Sequence, residues 1–368
     1  MEGVIVQTHL SYTFAPRDLL VPSGSFDSKR KRSMSRQRQT GIVLLVFFGL
    51  ASSALSQSTE ELAGVQQVKA IPPLPIGMTS FGAAVIGDWV YTYGGHTGKA
   101  HDYYRQAQSN ALTRLSLVQP TKWEKVATGP HLQGLAMVAW EKKLYRLGGF
   151  TAKNQKDEEE DLWSVPDVAL FDPKTGDWKD LPPMPVPRSS VDAVVHEGQI
   201  YVAGGWALQG GRETKWHDSA YVLNLNKLPL QWEKLPGPPF RHRAVSLGAM
   251  DDQIYVVGGM NQKGPTTEVY RFDVQARSWQ AGPNLIGERM DGFGSATFAQ
   301  GDQLYVSTYS GDLLKLNADH DGWVVVKNLS RARFFHRMLP VAADKLLLIG
   351  GANMEVGKFL EVDLVTVR

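Results

Sequence analysis

The sequence predicts an all-β chain folded as a closed ring of six four-stranded blades. Three observations predict it: a short β-rich run recurs six times, five of the copies end in two glycines, and a tryptophan follows each of the first five. A repeat of roughly 50 residues is too long for a solenoid coil of single strands and suits one antiparallel blade.

The six runs are Val90-Tyr-Thr-Tyr-Gly94-Gly95, Leu144-Tyr-Arg-Leu-Gly148-Gly149, Ile200-Tyr-Val-Ala-Gly204-Gly205, Ile254-Tyr-Val-Val-Gly258-Gly259, Leu304-Tyr-Val-Ser-Thr308-Tyr309 and Leu346-Leu-Leu-Ile-Gly350-Gly351. Successive copies lie 54, 56, 54, 50 and 42 residues apart. Each continues with a variable loop, a third strand such as Val168–Asp172 or Val269–Asp273, a tight turn, and Trp123, Trp178, Trp232, Trp279 or Trp323. Asp172-Pro-Lys-Thr-Gly-Asp177 places Pro and Gly where such a turn takes them. Tyr and Trp supply large packing areas and keep a polar tip for a hydrogen bond.

Six glycine positions are matched by five tryptophans, because the chain stops after the third strand of the last copy. The missing fourth strand is expected at the other end. Val68-Lys-Ala-Ile-Pro-Pro-Leu-Pro75 parallels Trp178-Lys-Asp-Leu-Pro-Pro-Met-Pro185, so the N-terminal strand would complete the last blade and remove the exposed edges of an open stack.

The pattern resembles the kelch-repeat family of β-propellers, through the Tyr-x-x-Gly-Gly runs and the spacing of 29 residues from Gly94 to Trp123 and 30 from Gly148 to Trp178. Thr308-Tyr309 in the fifth copy and Leu347 in the sixth depart from it. In size, number of repeats and N-terminal segment the chain is also similar, more distantly, to the N-acetylneuraminate epimerases, which interconvert sialic acid anomers.

That N-terminal segment reads as an export signal. Basic residues 29–38 (KRKRSMSRQR) precede the apolar run 41–50 (GIVLLVFFGL) and the small residues Ala51 to Ser56. Cleavage after Ser56 would leave 57–368 as a single propeller, periplasmic or secreted, with no membrane span. Met34 is the expected start, residues 1–33 being an upstream extension. Of 39 basic and 37 acidic residues, seven and three fall within the first 56, which leaves 32 against 34 in the body. A body without a positive field is not a nucleic-acid binder. The absence of cysteine removes disulfides, thiol nucleophiles, Cys-ligated metals and the cysteine-crosslinked tyrosine of the copper-radical oxidases that share this architecture.

Chain direction alternates within a blade, so the segment leading into strand one and the loop joining strands two and three share a face. On that face Arg188, Arg241, Arg243, Arg289, Arg333 and His336 stand at or near the starts of inner strands, with Asp192, Asp291 and Tyr309 beside them. Long loops at 96–110, 150–165 and 206–219 form a partial wall bearing aromatic residues, Trp206 among them; the fourth loop, 260–267, is shorter. A concave, aromatic, cationic mouth suits a carbohydrate, an anion or a protein segment. Within the kelch pattern an arginine at this position commonly bonds neighbouring loops, so each single arginine has a structural role as its simplest explanation.

The sequence therefore points to a monomeric binding propeller for a carbohydrate or protein ligand. The alternative is a sugar mutarotase, with Asp192–Arg243 or Asp291–Arg289 moving a proton and holding a carboxylate. No cofactor, no metal and no specific catalytic residue is expected. The acidic run 157–161 lacks calcium-loop spacing, and Asn317–Gly322 reads as a strand three-to-four turn.

Overall fold

The computed structural model describes residues 71–367. Apart from two short 3-10 turns, its regular structure is entirely β. Blade 1 comprises Gly82–Ile86, Trp89–Tyr93, Ala111–Ser116 and Glu124–Thr128; blade 2 Ala136–Trp140, Lys143–Leu147, Val168–Asp172 and Asp177–Leu181. Blade 3 comprises Asp192–His196, Gln199–Ala203, Tyr221–Asn224 and Trp232–Lys234; blade 4 Ser246–Met250, Gln253–Val257, Val269–Asp273 and Ser278–Ala281. Blade 5 comprises Ala296–Gln300, Gln303–Ser307, Asp312–Leu316 and Trp323–Asn328, and blade 6 Phe334–Ala342, Lys345–Asn353 and Asp363–Thr366. Every blade is an antiparallel meander, and each inner strand contacts the inner strands on both sides, blade 6 against blade 1 included. The predicted six-bladed ring is therefore present.

The expected N-terminal strand begins at Val68, and residues 68–70 and the signal region lie outside the described residues. The segment from Ile71 to Leu74 docks on blade 6: the Leu74 amide donates to the Leu360 carbonyl at 2.7 Å, and Ile71 packs in a cluster with Val362 and Leu364.

The strand-two tyrosines Tyr91, Tyr145, Tyr201, Tyr255 and Tyr305, and Leu347 in their place in blade 6, are all buried. They lie between blades. Tyr201 and Val222 of blade 3, for example, share a cluster with Leu247, Ile254 and Phe272 of blade 4. The tryptophans fasten the outside of the ring, since Trp123, Trp232, Trp279 and Trp323 each donate from Nε1 to a proline carbonyl (Pro72, Pro182, Pro236, Pro283) at 2.8–3.2 Å. Blade 2 differs. There Tyr93 Oη donates to Pro130 at 2.7 Å, and Trp178, packed edge-on against Tyr93, leaves its indole N–H without a partner.

The double glycine makes the seam. The amide of the second glycine donates to the next blade: Gly95 to Leu132, Gly149 to Arg188, Gly205 to His242, Gly259 to Gly292 and Gly351 to Met78, at 2.6–3.0 Å. At Gly205 φ is +85° and a Cβ would stand 2.7 Å from the Ser189 carbonyl oxygen, so no side chain fits. In blade 5 Tyr309 occupies this position and its amide turns instead to the Asp291 carbonyl of its own blade at 3.4 Å. The departure seen in the sequence thus breaks one of six seams and leaves the ring closed.

One residue per blade lines the rim in the left-handed region: Ser80, Gly134, Ser190, Ala244, Gly294 and Phe335, with φ between +48° and +64°. Backbone bonds join them across blades, Gly134 N–H to Ser80, Ala244 to Ser190, Phe335 to Gly294 and Ser80 to Phe335, at 2.7–3.1 Å.

Substitution weighs both kinds of seam contact. Gly205→Ala is expected to cost on the order of 1–3 kcal/mol through backbone strain and the carbonyl clash, read as a lower urea midpoint at unchanged slope. Trp232→Phe should cost about 1 kcal/mol by removing one hydrogen bond, whereas Trp178→Phe, which removes none, should cost less by the same measurement.

Candidate functional site

The three long loops are knitted into one wall. Gln108 of the first donates to the Phe150 carbonyl and accepts from the Ala152 amide, at 3.2 and 2.8 Å. Asn154 of the second donates to the Tyr103 carbonyl at 2.9 Å, and Ser164 accepts from the Leu208 amide of the third at 2.9 Å. The second and third loops each form a small hairpin, pairing Phe150–Ala152 with Leu162–Ser164 and Trp206–Ala207 with Lys215–Trp216. The wall stands over blades 1 to 3. Blades 4 to 6 are low, and over blades 5 and 6 a cluster of half-buried aromatic rings is left: Phe293, Tyr309, Phe334 and Phe335.

Arg243, from the start of blade 4, reaches the third loop. Its guanidinium carbon lies 4.0 Å from the centre of the Trp206 ring and 5.6 Å from that of Trp216, and the two indoles meet edge-to-face at 5.5 Å. Burial pushes its pKa down to about 10, partly opposed by nearby Tyr103. Its Nε is covered and has no hydrogen-bond partner, and no carboxylate pairs with it among the described residues. A partly desolvated guanidinium over an indole ring keeps its charge and its capacity to accept an anionic partner.

The other arginines of the face have partners. Arg188 and Arg333 are 0% and 1% exposed. Each donates from Nη1 to the first-glycine carbonyl of its own blade, Gly204 or Gly350, at 2.8 Å, and the second nitrogen holds Ser219 or Asp363. They fasten strand two to strand three and present nothing to a ligand. Arg241 is exposed and pairs with Asp218 at 2.6 Å. Arg289 donates to the Pro265 and Lys263 carbonyls, at 2.9 and 3.3 Å, bracing the fourth loop. Asp291 accepts from the Glu288 and Ser310 amides at 2.8 and 2.9 Å, capping its 3-10 turn. Tyr309 stacks on Phe334 with centroids 5.4 Å apart. His336 is buried, its Nε2 lies 2.6 Å from Ser307 Oγ, and burial holds its pKa well below the ordinary value.

Neither pair expected from the sequence forms, Asp192 with Arg243 or Asp291 with Arg289. Asp192 pairs with Arg337, which projects from the inner strand of blade 6 into the channel. Arg337 donates from Nη1 to Asp192 Oδ1 at 2.8 Å, from Nε to the Phe81 carbonyl at 2.7 Å and from Nη2 to the Leu135 carbonyl at 2.9 Å. Asp192 Oδ2 accepts from the Leu247 amide at 3.0 Å. This latch divides the channel: above it a mouth of about 50 Å³ is bounded by Ser80, Ser190, Ala244, Phe335 and His336, and below it lies a larger cavity. Arg337 belongs to the arginine-rich run 331–337; alternation along the inner strand puts it on the blade 1 side with Leu339, opposite Met338, and its reach across the axis depends on the closed ring, which the sequence does not display.

For metals, His196, Glu197 and Asp252 bring three donor atoms within 4.8 Å of one another on the opposite face, where His196 already bonds Asp252 at 2.8 Å. The Asn317–Gly322 segment is a hairpin turn closed by the Asn317 and Asp321 side chains, as its sequence suggests.

Residues 134–351 match the KLHDC2/KLHL20/DRC7 Kelch-repeats domain. The chain belongs to the kelch-repeat family. Kelch-like protein 40 of Xenopus tropicalis is 28% identical over 221 residues, 57% of this chain and 33% of the relative. Kelch-like protein terF of Aspergillus terreus is 27% identical over 236 residues, 62% of this chain and 49% of the relative. The chain thus spans a third to a half of the length of these kelch relatives. The solved structure of YjhT superposes with a TM-score of 0.66 at 19% identity, over 81% of this chain and 97% of that one, which shows a shared fold.

His217, beside the site, yields a pH prediction. Burial and then Arg188 lower its pKa to about 4, and its Nε2 lies 2.9 Å from the Pro187 carbonyl oxygen. The unfolded chain binds the proton near pH 6.5 and the folded one only near 4, so this group's contribution is full above 6.5 and is lost as pH falls from 6.5 to 4. In His217→Gln, urea midpoints measured from pH 7 to 4 should fall less steeply than in the parent; an unchanged slope would assign the acid sensitivity to other groups.

Proposed function

We propose that this kelch propeller is a binding protein that takes an anionic ligand on its loop-bearing face, at Arg243 beside Trp206 and Trp216. The observation that carries this reading is the Arg243 guanidinium itself, largely buried, stacked on indole and without a counter-charge. A ligand carboxylate would supply the missing partner through a charge-assisted hydrogen bond. Of the two ligand classes expected from the sequence, a protein segment with an acidic side chain is favoured over a carbohydrate. The arginine site on blades 3 and 4 and the aromatic cluster on blades 5 and 6 are separate sectors of one face, and an extended chain can engage both while a single sugar engages one.

The mutarotase alternative needs an acid or base free to move a proton. Both oxygens of Asp192 and of Asp291 already accept hydrogen bonds within the protein, which makes binding the better-supported reading. We also propose export, periplasmic or secreted, on the strength of residues 29–56 alone. A mature protein beginning at Gln57 in N-terminal sequencing would bear that out, and one retaining Met1 or Met34 would overturn it.

The binding test is a screen of the full-length chain against an acidic peptide library, sialic acids and acidic glycans, followed by titration of the hits. Arg243→Ala is expected to weaken a true ligand about 10- to 100-fold, with thermal stability little changed. Retained affinity in a folded variant would remove Arg243 from the site, and a hit among sialic acids without any peptide would replace the protein reading with the carbohydrate one.

A further inference from the structure

On the face opposite the loops, the turns that join strands one and two of blades 3 and 4 meet. His196, the last residue of Asp192–His196, and Glu197 belong to blade 3, and Asp252 belongs to the blade 4 turn. One ligand atom from each lies within 4.8 Å of the other two. His196 Nε2 stands 2.8 Å from Asp252 Oδ1, and Asp252 Oδ2 accepts from Gln275 Nε2 at 3.4 Å. The Glu197 carboxylate is exposed and has no hydrogen-bond or ion-pair partner among the described residues. The backbone fixes these positions. Each turn has two central residues, Glu197 and Gly198 or Asp251 and Asp252, with φ between +49° and +72°, the conformation of a tight type I′ hairpin. Where blade 3 has His196 the other blades carry Ile86, Trp140, Met250, Gln300 and Ala342, so the imidazole is peculiar to this blade.

We propose that this pair of turns is a binding site for one divalent transition-metal ion of the zinc class, which ties blade 3 to blade 4 on the side opposite Arg243. The donor set decides the class: an imidazole nitrogen suits Zn²⁺, Ni²⁺ and Cu²⁺, whereas Ca²⁺ takes about six to eight oxygens and Mg²⁺ favours carboxylates and water. Around a tetrahedral zinc with bonds of about 2.1 Å the ligand atoms stand roughly 3.4 Å apart. The three side chains reach that spacing by rotation on a fixed backbone, and the ion takes the place of the proton between His196 and Asp252. Water completes the shell, since the Asp252 side chain is 45% exposed. The bond from Gln275 orients the Asp252 carboxylate from outside the shell, as such partners do in metal sites. A neighbouring pair on the same face, His320 and Asp251, is looser at 3.9 Å and brings two donors only, which makes it an internal control.

Zinc chloride titrated calorimetrically into the full-length chain should fill a single site, and the melting temperature should rise with zinc and not with equal calcium or magnesium. His196→Ala should weaken zinc binding at least about tenfold, and His320→Ala should leave it as in the parent. Should His196→Ala fail to fold, diffraction at the zinc edge from zinc-soaked crystals of the parent chain serves instead, with an anomalous peak expected between His196 Nε2 and the Glu197 and Asp252 carboxylates. No zinc binding, an equal response to calcium, binding that survives His196→Ala or is lost in His320→Ala, or crystals without a peak at that position would each overturn the proposal.

Discussion

The Arg337–Asp192 latch is the contact on which the closed ring converges. A propeller has a hollow axis, and its blades touch chiefly at their flanks; in this chain one side chain bridges the hollow. Through Arg337 and Asp192, blade 6 is bonded to blades 1, 2 and 3, and blade 3 onward to blade 4. Both partners are largely buried, so each alone would be a desolvated charge. Their worth lies in mutual satisfaction, and the geometry is held by backbone carbonyls that cannot move without opening the blades. The same bond crosses the axis between the mouth and the lower channel. The latch thus ties together across the axis a ring that the seams close along its flanks.

Much of the architecture was legible because a propeller writes itself into the chain as a period. The double glycines mark the seams since their amides must reach the next blade through space that a Cβ would occupy. The tryptophans mark the outer strands since an indole is long enough to reach a proline carbonyl at the joint. Blade 2 shows the limit: Trp178 has the same spacing as its counterparts, yet Tyr93 takes the proline carbonyl first, and a repeat profile cannot reveal such a competition.

The site was less legible, because arginines that look alike in sequence differ in reach. Arg188, Arg243 and Arg333 all sit near strand starts, but Arg188 and Arg333 point back into their own blades while Arg243, one residue beyond the equivalent His242, turns outward to the wall. A shift of one position along an extended backbone reverses the side a residue faces. Pairing acids with arginines by proximity in sequence failed for the same reason. Asp192 and Arg337 are 145 residues apart in the chain, and they meet only because the ring is closed.

The loops add what six near-equivalent blades lack, a direction. The rim is a collar of six left-handed residues joined by backbone bonds, close to rotationally regular. The wall rises on only half of it. The approach along the axis is walled over blades 1 to 3 and open over blades 4 to 6, where the aromatic rings lie. The face thus has the shape of a keyed socket: under the proposed binding role it would fix the compass bearing of a partner as well as its distance from the axis, and lengthening one loop on the low side would change that bearing without disturbing the ring.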